Sequence, residues 1–386
     1  MALISKTLSL VEPSPTISIS TLANELKSKG HDIITLSAGE PDFDTPKNIQ
    51  NAAIEAIQTG KTKYTAPDGM QILKSAIAKK FLVENKLQYD EQSISIGSGG
   101  KQIIYNALMA TVDPGDEVLL PAPYWVSYSA IATLSEAKSI IIPSTIETDF
   151  KITPDQLEQV ITPKTKLIMF NSPNNPSGTI YSEEEYRALG KVLEKYPDIF
   201  ILSDEIYEHI NYGAPHFSFA SIKTLYDRTI TVNGVAKAFA MTGWRIGYIG
   251  APEWVAKACN KMQGQITSGA NCIAQRATIA AISAPISSIK YMIDEFATRR
   301  EIIINLLSGI PGFKLNKPQG AFYVFPDISY YFGREIGGNK IENASDFALF
   351  LLEEAHVATV TGEAFGNDNC IRISYRVLVP CLGLFP

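Results

Sequence analysis

One lysine of this chain lies in a setting that suits covalent chemistry. Lys237 is surrounded by small and apolar residues in the stretch 233–248 (NGVAKAFAMTGWRIGY), and Arg245 follows eight residues later. A lysine removed from water has a lowered pKa, and its neutral amine is a nucleophile toward an aldehyde. The planar fork of an arginine can bind a phosphate group. Most lysines are solvated surface groups, so the interpretation of Lys237 depends on the rest of the chain.

A second stretch suits an anion. Gly99, Gly100 and Lys101 lie where a short apolar strand gives way to a helical pattern. Free N–H groups at the start of a helix attract negative charge. The stretch is not a P-loop, because Gln102 occupies the position of the Mg²⁺-binding Ser or Thr. A tight strand-to-helix turn without any ligand explains the two glycines equally well.

The elements that must position these residues alternate between strands and helices. Helical spacing of apolar residues is present in 48–59 and in 70–83. Short segments typical of strands, each followed by glycine, proline or polar residues, cover 93–96, 116–120, 166–170, 199–203 and 229–232. This alternation predicts βαβ units and a mainly parallel sheet, in which ligands bind at the carboxyl ends of the strands.

Composition and charge restrict the class of protein. A composition of 45% hydrophobic and 19% charged residues is typical of a globular protein. The length of 386 residues fits one large domain and a smaller one. A formal net charge of −6 argues against a nucleic-acid partner. Since no membrane-length apolar run and no signal-peptide pattern is found, we expect no membrane partner and a cytoplasmic location. The four cysteines are scattered, and we expect no metal site.

The order of the motifs resembles the class I aminotransferases of fold type I, in the bacterial branch of the aspartate aminotransferase family. The likeness extends from about residue 5 to residue 375. Besides 233–248, the motifs that carry it are 37–43 (SAGEPDF), 63–64 (KY), 123–128 (PYWVSY), 171–178 (NSPNNPSG), 203–209 (SDEIYEH), 320–323 (GAFY) and 372–375 (RISY). The resemblance implies pyridoxal 5'-phosphate as cofactor and a homodimer with shared active sites.

The resemblance also implies the α/β fold of type I. A large domain, residues 46–285, is expected to hold a mainly parallel seven-stranded sheet, and a smaller α/β domain is expected from residues 1–45 with 286–386. Relatives end in an amphipathic helix, whereas this chain ends in 377–386 (VLVPCLGLFP). A shifted reading frame, a truncation or a natural variant ending would each produce such a tail. We expect the final helix to be missing and its apolar replacement to cover the small domain only irregularly.

The resemblance assigns the cofactor residues by task. Lys237 would carry the cofactor covalently and later act as the base, with Asp204 opposite the pyridine nitrogen. Tyr207 and Asn175 would hydrogen-bond the ring oxygen, and Trp125 would stack on the ring. Ordinary structural roles also exist, with Asp204 as a cap, Asn175 in a turn and Trp125 in the core. The phosphate would lie among Gly99, Gly100, Lys101 and Arg245, together with Tyr64 of the neighbouring subunit.

By the same resemblance, aspartate and 2-oxoglutarate are the expected substrates. Arg372 would bind the α-carboxylate beside the backbone of Gly39 and in contact with Trp125 and Asn175. Lys101 would pair with the side-chain carboxylate, although it could instead be a surface lysine. Ser14 and Thr16 could add hydrogen bonds to that carboxylate.

Alternatives to aspartate transamination come from within the same fold and from another class of protein. Some members of the branch transaminate prephenate and carry a basic residue where this chain has Glu12, so that activity is less expected here. Transamination of aromatic amino acids is a further alternative. β-Lyases and decarboxylases share the fold, and cofactor residues alone do not separate them from aminotransferases. A transcriptional regulator would need a DNA-binding domain ahead of the match, which begins almost at the first residue.

Overall fold

A computed structural model describes residues 4–377 of the chain. None of the helices in this range is long and apolar enough to cross a membrane. Val377 packs at the edge of the largest apolar core. The remainder of the tail, from residue 378 to residue 386, lies outside the described residues. The predicted loss of the final helix and the irregular apolar cover therefore stay predictions.

Helices and strands alternate along most of the described chain. The helices are α1 (Lys6–Ser9), α2 (Pro15–Ser28), α3 (Lys47–Gln58), α4 (Gln71–Lys80), α5 (Gly100–Thr111), α6 (Ser127–Leu134), α7 (Pro154–Val160), α8 (Glu183–Leu193), α9 (Glu253–Ile266), α10 (Cys272–Ser283), α11 (Lys290–Ser308) and α12 (Ala344–Glu353). The strands are β1 (Ile34–Thr35), β2 (Ile94–Gly97), β3 (Glu117–Pro121), β4 (Lys138–Ile142), β5 (Thr165–Asn171), β6 (Phe200–Asp204), β7 (Thr229–Gly234), β8 (Gly247–Gly250), β9 (Tyr323–Val324), β10 (Arg334–Ile336), β11 (Asn339–Ile341), β12 (Val357–Ala358), β13 (Val360–Thr361) and β14 (Ile371–Ser374).

Seven strands form the central sheet in the order β2-β8-β7-β6-β5-β3-β4. β8 is antiparallel to both of its neighbours, and the other neighbouring pairs are parallel. Because β5, β6 and β7 lie side by side and run in the same direction, their carboxyl ends at Asn171, Asp204 and Gly234 meet at one edge of the sheet. This edge is where the predicted site should lie.

Helices cover both faces of this sheet, as the alternation along β5 shows. Leu167 and Met169 belong to an apolar core shared with α5, α6 and α9, whereas Ile168 and Phe170 belong to a second core shared with α7 and α8. Successive side chains of a strand point to opposite faces, so burial on both faces requires a continuous apolar run. That requirement explains why the central strands could be recognised in the sequence.

The remaining strands join the two ends of the chain. β1 pairs in parallel with β12, and α2 packs beside β12 and β13. β13, β14 and β9 form an antiparallel sheet, and β10 pairs with β11 as a hairpin. The division into domains near residues 45 and 285 stays a prediction, and it is consistent with this distribution of strands.

Two details differ from the sequence-based assignment. The helix predicted for 70–83 ends earlier, because α4 stops at Lys80 and a π turn, Phe81–Asn85, follows. β4 and β8 were not assigned individually. β4 is at the edge of the sheet and is only partly buried, and β8 contains two glycines, so neither has a strong apolar pattern.

Candidate active site

A cavity of about 490 Å³ lies at the carboxyl edge of the central sheet. Its walls come from the ends of β5 and β6, the turn after β7, the start of α5 and the N-terminal helix α2. The predicted site residues that line it are Gly39, Gly100, Lys101, Trp125, Asn175, Asp204, Tyr207, Lys237, Arg245 and Arg372. Ser14 and Thr16, the predicted additional donors, also line it.

Lys237 reaches the cavity from an irregular turn after β7. Its Nζ donates a hydrogen bond to the carbonyl oxygen of Gly39. Burial lowers the pKa of Lys237 to about 8, and the positive charge of Arg372 acts in the same direction. A substantial fraction of this lysine is therefore neutral just above pH 7, which is what a nucleophilic amine requires.

Asp204 ends β6 and is 5% exposed. Its Oδ2 accepts a hydrogen bond of 2.6 Å from the hydroxyl of Tyr128, and its Oδ1 accepts one of 3.2 Å from the N–H of Ile206. Burial raises the pKa of Asp204 to about 6, although both hydrogen bonds favour the charged form. A carboxylate held in this way is stabilised by any positive charge placed opposite it.

Arg372 lines the cavity and is 2% exposed. Its Nη1 donates to Asn175 Oδ1 at 3.0 Å, and its Nη2 donates to the carbonyl oxygen of Ser37 at 2.5 Å. Its Nε has no hydrogen-bond partner among the described residues. The bond to Oδ1 leaves the Asn175 amide nitrogen available as a donor, so one asparagine can serve both this arginine and a second acceptor.

Two cations meet at the first turn of α5. Helix α5 begins at Gly100, and a Cβ on Gly99 would come within 2.5 Å of Arg245 Nη2. Lys101 Nζ lies 5.3 Å from the centroid of the Trp125 ring. Burial lowers the pKa of Lys101, and the charge of Arg245 lowers it further. Two mutually repelling cations at a helix N-terminus form a site for a dianion.

Tyr64 is not part of this cavity. Its side chain is 95% exposed, and it does not line the pocket. The structure therefore brings together all of the predicted site residues except Tyr64, with Gly99 present through its contact with Arg245. A role for Tyr64 in a neighbouring subunit stays a prediction.

Two tyrosines of the site were not assigned from the sequence. Tyr128, which bonds Asp204, lies in the motif 123–128, and Tyr323 lies in 320–323. The Tyr323 hydroxyl is 2.8 Å from the Tyr207 hydroxyl, and the Arg372 guanidinium lies 4.6 Å from the Tyr323 ring centroid. Both motifs were recognised, but nothing in the sequence indicates which of their aromatic residues contact Asp204, Tyr207 or Arg372.

The fold and this site together define an aminotransferase. The family model described as aminotransferase class I and II matches residues 31–377, and the chain belongs to this family. It is 48% identical over 378 residues to the aspartate/prephenate aminotransferase of Cereibacter sphaeroides, covering 97% of this chain and 94% of that protein. It is 44% identical over 371 residues to the aspartate aminotransferase of Rhizobium meliloti, covering 95% and 90%.

Solved structures agree with these sequence relatives. The crystal structure of the Rhizobium meliloti aspartate aminotransferase superposes with a TM-score of 0.96 at 43% identity, covering 99% of this chain and 96% of that one. The Thermus thermophilus aspartate aminotransferase with maleate gives a TM-score of 0.92 at 37% identity, covering 99% and 97%. The predicted α/β fold of type I is confirmed.

Proposed function

We propose that this protein transfers the amino group of L-aspartate to 2-oxoglutarate, with pyridoxal 5'-phosphate as cofactor, and yields oxaloacetate and L-glutamate. The single observation that carries the proposal is the cavity in which Lys237, Asp204 and Arg372 converge. The family and the names of its relatives support the reaction class and the substrate.

The residues present fit this cofactor at both ends. Lys101, Arg245 and the first turn of α5 would hold the phosphate, and the lack of a side chain at Gly99 leaves room for Arg245 there. Asp204 would face the ring nitrogen, with Asn175 and Tyr207 at the ring oxygen. Bound pyridoxal phosphate supplies an electron sink for the carbanion that forms when a substrate loses its α-proton.

The chain itself supplies binding, orientation and proton transfer. Arg372 would bind the substrate α-carboxylate through its fork, and its unpaired Nε is a further donor. Trp125 would hold the ring at a fixed angle to the substrate. The Lys237 amine would then take the proton from the substrate Cα, a role that its lowered pKa suits at neutral pH.

A further cation in the cavity, besides Arg372, supports a preference for a dicarboxylic substrate. Lys101 is the cation there, and Ser14 and Thr16 offer hydroxyl groups on the same wall. A second carboxylate buried in this cavity would be costly without a cation, so a substrate that brings one is favoured where Lys101 stands. Because Lys101 would serve both this carboxylate and the phosphate, its removal should weaken both contacts.

Prephenate is the second candidate substrate, and the names of several relatives favour it. The matching proteins of Cereibacter sphaeroides and Nitrosomonas europaea are both named aspartate/prephenate aminotransferase. Against it, Glu12 is an exposed acid where a basic residue is expected for that substrate, and it does not line the cavity. We therefore place aspartate first.

A homodimer with shared active sites and a cytoplasmic location belong to the same proposal. The Tyr64 side chain is almost completely exposed, so it is accessible to a neighbouring subunit, as the dimer requires. Light scattering of the purified protein tests the dimer, and Tyr64→Ala should weaken cofactor retention if the ring reaches the neighbouring site.

A spectroscopic experiment tests the reaction. Adding aspartate to the yellow, cofactor-loaded protein should convert its absorbance stoichiometrically to that of the aminated cofactor and should release oxaloacetate. Addition of 2-oxoglutarate should then restore the original spectrum and produce glutamate. Release of alanine and carbon dioxide, or of ammonia with an unsaturated four-carbon diacid, would instead indicate a decarboxylase or a lyase on the same fold and would refute the proposal.

A further inference from the structure

The segment 204–208, at the end of β6, contains two residues that line the cavity and two buried acids that do not. Asp204 and Tyr207 line the cavity, whereas Glu205 and Glu208 do not and are 1% and 7% exposed. The proposed reaction uses neither glutamate. A buried carboxylate is costly unless it is paired, so the retention of two of them beside the site calls for a physical reason.

Glu208 lies at the centre of a buried hydrogen-bonded cluster. Its Oε1 accepts hydrogen bonds from Lys80 Nζ and, at 2.7 Å, from Asn233 Nδ2. Its Oε2 accepts a hydrogen bond of 2.6 Å from Asn85 Nδ2. The Lys80 side chain is 1% exposed and donates a further bond of 2.8 Å to Asn85 Oδ1. Every charge at the centre of this cluster therefore has a partner.

The surrounding charges keep Glu208 ionised. Nε2 of His209 and Nε2 of His216 lie 3.5 and 3.8 Å from its carboxylate oxygens. Burial alone disfavours the carboxylate, but the charges of Lys80, His209 and His216 outweigh it and hold the pKa of Glu208 well below its usual range. Glu84 also converges here, as in a metal site. The Lys80 ammonium already pairs with Glu208 and Glu84, the acids that a metal ion would bind, so we infer no metal site.

This cluster joins three parts of the chain that meet behind the cavity. Glu208 directly follows Tyr207, Lys80 ends α4, and Asn233 lies near the end of β7. The Asn233 side chain also accepts a hydrogen bond of 2.7 Å from the N–H of Gly234, three residues before Lys237. Glu208 is thus bound to the segment that leads into the reactive lysine.

We propose that Glu208 is a positioning residue that fixes Tyr207 relative to the turn carrying Lys237, by binding Lys80 and Asn233 at the same time. This inference rests on the proposed function, since Tyr207 and Lys237 must act on the same cofactor. A neutral amide in place of the carboxylate would turn an NH₂ group toward other donors and leave at least one of them unpaired. The Tyr207 segment would then be free to move relative to β7.

The expected signature is spectroscopic. In the proposed site the Tyr207 hydroxyl donates to the ring oxygen of the cofactor. A well-placed donor stabilises the anionic form of that oxygen, so its displacement raises the pH at which the visible absorbance of the bound cofactor changes. A purely structural ion pair elsewhere in the protein would not move this midpoint.

Helix α4 offers a matched control. Lys74, six residues before Lys80, pairs with Asp68 at 2.5 Å, and their side chains are 7% and 21% exposed. Asp68→Asn removes the acid of a lysine pair on the same helix, and neither Lys74 nor Asp68 lines the cavity. Both Asp68→Asn and Glu208→Gln should lower the thermal unfolding midpoint, so a loss of stability alone does not distinguish them.

The experiment compares the cofactor-loaded wild type with Glu208→Gln, Asp68→Asn and Asn233→Ala. Each protein is measured for its unfolding midpoint, the pH midpoint of its visible absorbance, the affinity of its apoprotein for pyridoxal phosphate, and kcat and KM for aspartate. We expect Glu208→Gln to raise the absorbance midpoint by about 0.5 pH unit or more, and to lower kcat by about tenfold with a smaller change in KM. Asp68→Asn should keep the wild-type midpoint and kcat.

Asn233→Ala guards against a Glu208 variant that fails to fold, because it keeps the pair between Lys80 and Glu208. It should raise the absorbance midpoint in the same direction by a smaller amount. A wild-type midpoint in Glu208→Gln, or in Asn233→Ala if the former is insoluble, overturns the inference. A wild-type protein that binds cofactor but does not convert aspartate overturns only the proposed substrate, and one that binds no cofactor overturns both.

Discussion

Replacing Asp204 by asparagine keeps the size of the side chain and removes its charge. In the structure the carboxylate is buried and held by Tyr128 and by the backbone of Ile206. An asparagine oxygen at the position of Oδ1 can still accept from the N–H of Ile206, and the amide NH₂ at the position of Oδ2 can donate to the Tyr128 hydroxyl, which can accept as well as donate. The variant therefore tests the charge of residue 204 with little change in packing.

The size of the effect follows from the burial of the carboxylate. The pKa of Asp204 is raised from 3.8 to about 6. A shift of one pKa unit corresponds to ~1.4 kcal/mol, so the site disfavours the charged form by about 3 kcal/mol. A protonated ring nitrogen opposite the carboxylate must recover at least this amount. The asparagine cannot, and a loss of about 3 kcal/mol in the transition state lowers kcat by about 100-fold.

The assay is steady-state transamination of aspartate and 2-oxoglutarate at saturating substrate, with oxaloacetate followed by reduction. KM for aspartate should change much less than kcat, because the substrate carboxylates bind elsewhere. Tyr128→Phe is the control, since it removes one hydrogen bond from the same carboxylate but leaves its charge, and it should cost no more than about tenfold. If Asp204→Asn keeps more than about a tenth of wild-type kcat, the assigned role of Asp204 is wrong.

Further predictions test the other residues of the site and the tail. Borohydride reduction followed by peptide mapping should label Lys237, Lys237→Ala should take no label, and a label on another lysine would refute the assignment. Because burial holds the pKa of Lys237 at about 8 against 10.5 in the unfolded chain, Lys237→Met should stabilise the apoprotein at pH 7 by up to about 3 kcal/mol. That gain should be complete below pH 8 and should disappear as the pH rises toward 10.5; a gain that does not depend on pH would contradict the burial argument. Arg372→Ala should impair all amino acid substrates, whereas Lys101→Ala should impair dicarboxylic substrates more than aromatic ones, and equal losses would contradict this division. A chain whose tail from residue 377 is replaced by an amphipathic helix should melt at a higher temperature with an unchanged cofactor spectrum, and matched melting temperatures would show that the present tail is adequate.

The strand ends of the site could be predicted because their sequence signals are local. The runs 167–170 (LIMF) and 199–202 (IFIL) are apolar throughout, and polar residues follow each of them directly. Burial on both faces of a parallel sheet makes such runs continuous, and the edge where they end is the edge that binds ligands. This reasoning places Asp204 and the segment that contains Asn175 at that edge, whereas their roles follow from the resemblance to the family.

The partners brought in from distant parts of the chain could not be predicted in the same way. Tyr323 and Arg372 meet because β9 pairs with β14, with Tyr323 opposite Ser374 in the register. Glu208 meets Lys80 across 128 residues, and the π turn that places Asn85 beside them extends beyond the helix predicted for 70–83. Long-range pairing of this kind depends on the assembled core, and no local propensity specifies it.

The alternation along 204–208 has a consequence for insertions and deletions. Asp204 and Tyr207 serve the cavity while Glu205 and Glu208, each one position later, serve the buried hydrogen bonds behind it. Removing a single residue between them would bring an acid into the place of the tyrosine and leave Lys80 without its counter-ion. The spacing of these five residues is therefore constrained as well as their identities. A homologue with a segment of different length should also differ in the residues that line the cavity and in those that bind the buried acids.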